Sequence, residues 1–149
     1  MLSPLSKLLN NPPGEILFVG IGNILRSDDG VGVYISNHIR PSEFISSLTV
    51  ETSIENYIGK INKSDPGILI LIDCVDFGQK PGYIELVPAD KLTDLTFHTH
   101  NISLKKISEL FNMPVLILGI QPVNTSFGEE LTPVIKKTAS IVLNLINKG

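Results

Sequence analysis

The sequence holds a single cysteine, Cys74, so no disulfide can form within the chain. A chain of this kind suits a reducing compartment, and the expected place of action is cytoplasmic. No stretch approaches the roughly 18 apolar residues that a membrane-spanning helix needs, so no membrane contact is expected. Positive charge is not in excess either. Twelve Lys and Arg stand against 15 Asp and Glu, and the net charge is -3. The longest basic run is a lysine pair, whereas nucleic-acid binding draws on a basic face; none is expected here. A Walker phosphate loop, a GxSxG nucleophile elbow and an HExxH metal helix are all missing. The first residues, Met1 to Asn11, lack the apolar core of a signal peptide. Pro12-Pro13 follows where small cleavage-site residues would stand.

What is present suits one domain. The chain has 149 residues, 42% of them hydrophobic. A domain of roughly 150 residues buries about 70% of its unfolded surface and needs no staples. Met1 to Gly14 reads as an N-terminal extension with room for one short amphipathic turn. Residues 15–149 read as a single domain, without repeats or low-complexity tracts.

Periodicity orders that domain. The apolar runs Ile16 to Ile21, Ile68 to Ile72 and Pro114 to Gly119 have the character of strands buried on both faces, as in a parallel sheet. Leu48 to Thr52 is a shorter candidate strand. Helical spacing runs from Gly30 to Arg40, where Pro41 stops it, and more weakly from Ile54 to Ile61. It returns from Ile102 to Phe111, with Ile107, Leu110 and Phe111 inward, and from Glu129 to Asn147, with Leu131, Val134 and Ile135 opening the apolar stripe. Tyr83 to Val87 alternates and follows its predecessor too closely for a helical crossover. It is therefore expected as an antiparallel edge strand. The order βαβαββαβα predicts a three-layer α/β/α sandwich, with a mainly parallel twisted sheet of about five strands.

The chemistry gathers beyond the strand ends. Gly20-Ile-Gly22 resembles the opening of a dinucleotide fingerprint, but Leu25 stands at the third glycine position. Two acids, Asp28 and Asp29, would also repel a pyrophosphate. One of this pair suffices to start the helix that follows. Asp28 fits that capping role, leaving Asp29 to point into a cleft. Asp73 ends the second buried strand, on the same edge if the strands are parallel. Asp76, with Gly78 after it, reads as a turn residue. Cys74 reads as a small, partly buried side chain. His98 and His100 lie just ahead of the helix near Ile102. Two carboxylates and an imidazole suit a divalent transition metal such as nickel or zinc, yet do not make a zinc-peptidase signature.

These residues carry a family resemblance. Gly20-Ile-Gly-Asn-Ile-Leu-Arg-Ser-Asp-Asp-Gly-Val-Gly32 resembles the opening motif of the nickel–iron hydrogenase maturation endopeptidases. Ile72-Asp-Cys-Val-Asp-Phe-Gly78, followed by Pro81-Gly82, resembles their second motif. Thr99-His-Asn-Ile-Ser-Leu104 and Leu118-Gly-Ile-Gln-Pro122 are similar to motifs of the branch that processes hydrogenase-3-type and coenzyme F420-reducing enzymes. The chain departs from the pattern in a longer N-terminal segment and at Thr52 to Asn56, where the family carries a glycine-rich loop.

The resemblance implies an aspartyl-type endopeptidase. It would remove the C-terminal extension of a nickel–iron hydrogenase large-subunit precursor after nickel insertion. It further implies that Asp29, Asp73 and His100 are the catalytic and metal-contacting residues. The nickel is supplied by the substrate, and no permanently bound cofactor is expected. The partner is that precursor, and the enzyme is expected as a monomer. The alternative is a non-catalytic nickel-binding or docking protein for hydrogenase assembly.

Overall fold

The structure is a computed structural model and describes residues 2–92 and 103–148. The strands are β1 (Ile16–Ile21), β2 (Ile45–Glu51), β3 (Ile68–Cys74), β4 (Ile84–Pro88) and β5 (Val115–Ile120). The helices are α1 (Ser3–Asn10), α2 (Val31–His38), α3 (Ile58–Ser64), α4 (Leu104–Ser108) and α5 (Pro133–Ile146). Short 3-10 turns at Ser27–Gly30, Ile54–Tyr57 and Ala89–Lys91 lead into or follow them.

The five strands form one sheet in the order β2-β1-β3-β5-β4. Neighbours are parallel except β4, which pairs antiparallel with β5 at the edge, as the alternation of Tyr83 to Val87 predicts. The period of two splits each central strand between two apolar layers. Ile16 and Phe18 of β1 and Ile68, Ile70 and Ile72 of β3 pack with α1, α2 and α5 through Leu5, Ile35, Ile135 and Val142. Leu17, Val19, Leu69 and Leu71 face the other way, onto Ile54, Ile61, Leu104 and Ile107. The fold is thus the expected α/β/α sandwich. The N-terminal segment, expected to precede the domain, contributes a helix whose Leu5 is fully buried in the first layer.

Three helices are shorter than their periodicity suggests, and α2 ends at His38, two residues before Arg40. Ser103 caps α4 by accepting the Lys106 N–H, and the helix ends at Ser108. Asn62 then accepts the Asn112 N–H and donates to the Leu110 carbonyl, turning the chain away. Ile107 and Phe111 are buried as expected, but Leu110 is exposed. Ile102 lies outside the described residues. At the other end α5 starts at Pro133 rather than Glu129, with Thr132 as its N-cap. Leu131 therefore precedes the helix and Val134 is exposed, while Ile135, Ala139 and Val142 form the buried stripe.

This topology fixes where a site can lie. From β1 the chain crosses to β2 on one side, and then returns to β3 on the other. The switch point of the doubly wound sheet falls between β1 and β3, and open α/β sheets bind ligands beyond the carboxyl ends of such strands.

Candidate active site

The glycines of the first motif bring α2 onto the sheet. A Cβ at Gly32 would meet the carbonyl oxygens of Ile21 and Ile72, and one at Gly20 would meet Ser36 and the Gly32 carbonyl. Close helix–strand approach across the β1–β3 junction is what these positions require, and this accounts for the glycine pattern without a phosphate. Gly22 has φ +143°, and a Cβ there would strike the Asp29 carbonyl. The turn after β1 therefore folds back on the Asp28-Asp29 pair.

The two adjacent acids do different work. Asp28 is fully buried. One of its oxygens accepts the N–H groups of Val123 at 3.0 Å and Asn124 at 3.1 Å. The other accepts the Thr132 N–H at 2.7 Å, and the Thr132 hydroxyl reaches both oxygens. The N-cap of α2 is Gly30, which has no side chain to cap the helix. The expected capping role of Asp28 thus falls on a different helix: it closes the N-terminus of α5 and fastens the 121–132 loop. A second set of bonds welds the same two loops. The Ser27 N–H donates to the Gly128 carbonyl at 2.7 Å, its hydroxyl to the Ser126 carbonyl, and the Gly128 N–H to the Leu25 carbonyl. Ser27 is held at a left-handed φ of 53°.

Asp29 is 2% exposed and Asp73 is 1% exposed. One Asp29 oxygen accepts the Asn23 N–H at 2.8 Å, and Asp73 Oδ1 accepts the Cys74 N–H at 2.8 Å. Asp73 sits at the carboxyl end of β3, paired with Gly119 of β5. Strand alternation puts it on the face of Leu69 and Leu71, the layer that holds α4. The 3-10 turn carrying Asp29 follows the carboxyl end of the adjacent β1. The two carboxylates are thus brought to the same edge at the switch point. Burial first, and then the negative charges of Asp73 and Asp29, push the Cys74 thiol up, so that it resists ionisation. Cys74 is fully buried and held protonated, a packing residue rather than a nucleophile.

His98 and His100 lie outside the described residues. The flanks of that segment, Leu92 and Leu104, are both buried in the layer that Asp73 faces. Among the described residues, no group of three or more His, Cys, Asp or Glu side chains could hold a metal ion.

Gln121 is a neutral residue at the edge of the site. Its side-chain carbonyl accepts the Phe77 N–H at 2.6 Å and the Gln79 N–H at 3.3 Å, and its amide donates to Asp76 at 3.2 Å. Asp76 also accepts the Gly78 N–H, the expected turn. Gln121 thereby ties the loop after Asp73 to the end of β5. Its signal was its place in the Leu118 to Pro122 motif.

Comparison with known proteins bears on this arrangement. The model of the family described as HycI, hydrogenase maturation protease, matches residues 43–148. The hydrogenase 3 maturation protease of Escherichia coli is 27% identical over 128 residues, covering 82% of each chain. The coenzyme F420 hydrogenase subunit delta of Methanothermobacter thermautotrophicus is 26% identical over 150 residues, covering 89% of this chain and 92% of that one. Among solved structures, the [NiFe] hydrogenase maturation protease HycI from Thermococcus kodakarensis superposes with a TM-score of 0.85 at 25% identity. That match covers 98% of this chain and 97% of the other.

Proposed function

The chain belongs to the hydrogenase maturation protease family, and from that premise we propose that Asp29 and Asp73, with His100, form the centre that cuts its substrate. The protein is a peptidase that processes a hydrogenase large-subunit precursor at its C-terminal end. The observation that carries the site assignment is the pair of buried carboxylates, Asp29 and Asp73, delivered by adjacent parallel strands to one edge.

Nickel belongs to the substrate in this reading. The precursor brings it, and Asp29, Asp73 and His100 recognise it as oxygen and nitrogen donors. The scissile peptide bond lies next to the metal, so recognition also positions the bond. The carboxylate pair supplies the base. A charged carboxylate takes a proton from water, the oxygen adds to the peptide carbonyl carbon, and the proton passes to the leaving amine as the C–N bond breaks. The Asn23 and Cys74 N–H groups hold one oxygen of each carboxylate in place. Action in the cytoplasm fits a lone, buried thiol at Cys74. Among the described residues no helix is long and apolar enough to cross a membrane.

The test is incubation with nickel-loaded and nickel-free precursor, followed by mass measurement of the large subunit. Loss of the C-terminal peptide from the nickel-loaded form alone is expected. Tight binding with no change in mass would replace this reading with that of a docking protein.

A further inference from the structure

Eight large hydrophobic residues are exposed among the described ones. Four of them, Ile24, Leu25, Val123 and Phe127, belong to the two loops that flank the carboxylate edge. Phe127 is 85% exposed, far more than any of the others. An aromatic ring left in water costs free energy that a partner surface recovers, and clustered exposed apolar side chains mark such surfaces.

The loops that carry them are not slack. The Gly128 N–H, next to Phe127, donates to the Leu25 carbonyl at 2.8 Å, and Arg26 and Gly128 form a parallel bridge. The Val123 N–H is bound by Asp28. The apolar side chains are therefore mounted on a frame whose backbone is fixed before any partner arrives, which lowers the ordering cost of binding. The frame is also continuous with the site, because Asp29 follows Asp28 on the same turn.

We propose that Ile24, Leu25, Val123 and Phe127 form the docking ridge for the folded body of the hydrogenase large-subunit precursor. This inference rests on the peptidase reading above. A substrate that delivers a bond to Asp29 must bring the protein attached to that bond over the loop carrying Asp29. That loop and the one bonded to it are where the apolar side chains stand. The ridge adds affinity for the whole precursor, whereas the carboxylates act on the bond.

The test compares the parent chain with the double variant Leu25→Ser, Phe127→Ser in cleavage of the nickel-loaded precursor. The expected result is a KM raised about tenfold or more, as for loss of an aromatic anchor, with kcat kept within about twofold. Phe44→Ser, at a comparably exposed residue beside the amino end of β1, should leave both constants unchanged. All three proteins should melt cooperatively above the assay temperature, which keeps a loss of docking apart from a loss of folding. If the parent does not cut the precursor, the peptidase reading fails and this inference with it. If the parent cuts and the double variant keeps the parental KM, the docking ridge alone is wrong. Sedimentation gives a further check: a parent dimer that the double variant turns into a monomer would assign the ridge to a second copy of this chain and overturn the proposal.

Discussion

The carboxylate of Asp28 accepts the backbone N–H of Thr132 at 2.7 Å and its hydroxyl at 2.8 Å, across 104 residues of chain. Thr132 is the N-cap of α5, so an acid from the first motif neutralises the positive end of the last helix. The bond joins the turn beside the catalytic candidate Asp29 to the longest helix of the fold.

Replacing that acid is therefore a test of stability before it is a test of chemistry. In Asp28→Ala the N–H groups of Val123, Asn124 and Thr132 lose a buried acceptor. Water reaching the vacated space recovers part of the loss. We expect a cost of about 2–4 kcal/mol, above the loss of a single cap. The urea midpoint reads it, and a midpoint equal to that of the parent would contradict the role.

Asp29→Asn and Asp73→Asn should behave in the opposite way. An amide oxygen still accepts the Asn23 or Cys74 N–H, so the loops keep their shape. The negative charge is gone, and with it the proton acceptor and the strongest metal-facing oxygen. We expect the urea midpoint to move little and processing to fall by at least about 100-fold, the low end of a general base's contribution. Processing at the parental rate by either variant would remove that residue from the site.

The sheet was legible because its central strands are apolar on both faces and its edge strand alternates. These patterns follow from burial alone and do not depend on remote contacts. The acids Asp29 and Asp73 were legible as strand-end residues for the same reason. Asp28 is structural, as its place in the pair predicts, but through another helix than the one its spacing suggests. Local spacing pointed to a cap on α2, whereas the partner is Thr132, and nothing in the neighbourhood of Asp28 announces a residue so distant. α5 starts at Pro133 because the proline disfavours a helical Thr132 before it, and the Asp28 bonds fix Thr132 in that extended conformation. Gln121 stands in the Leu118 to Pro122 motif, but a neutral amide has no charge or metal affinity to announce its role, which appears once the loop after β3 closes on it.

The thiol of Cys74 makes a prediction at alkaline pH. Burial, and then the charges of Asp73 and Asp29, push its ionisation well above the ordinary value of 9.0. Below that value both folded and unfolded chains keep the proton, and the thiol adds no pH dependence. Above it the unfolded chain releases the proton and the folded chain does not, so stability falls as pH rises, by up to about 1.4 kcal/mol per unit. Urea unfolding between pH 8 and about pH 10 should show a steeper loss for the parent than for Cys74→Ala. Thiol reagents should label the native protein only as fast as it unfolds. Equal slopes with rapid native labelling would mean an accessible thiol.

Metal dependence should lie with the substrate. The proposed centre combines two carboxylates with one imidazole and no thiolate. Such a set has modest affinity for a free ion and gains from further ligands that arrive with the substrate, thiolates above all for nickel. Three consequences can be measured together. Chelator treatment of the enzyme, followed by removal of the chelator, should leave its rate on nickel-loaded precursor unchanged. Nickel-free precursor should stay uncut even with enzyme in excess. Free nickel added to the enzyme alone should not rescue that failure, because the ion must sit beside the scissile bond. An enzyme inactivated by the chelator and revived by zinc would instead be an ordinary metallopeptidase, and the roles given to Asp29, Asp73 and His100 would become those of ligands to a resident ion.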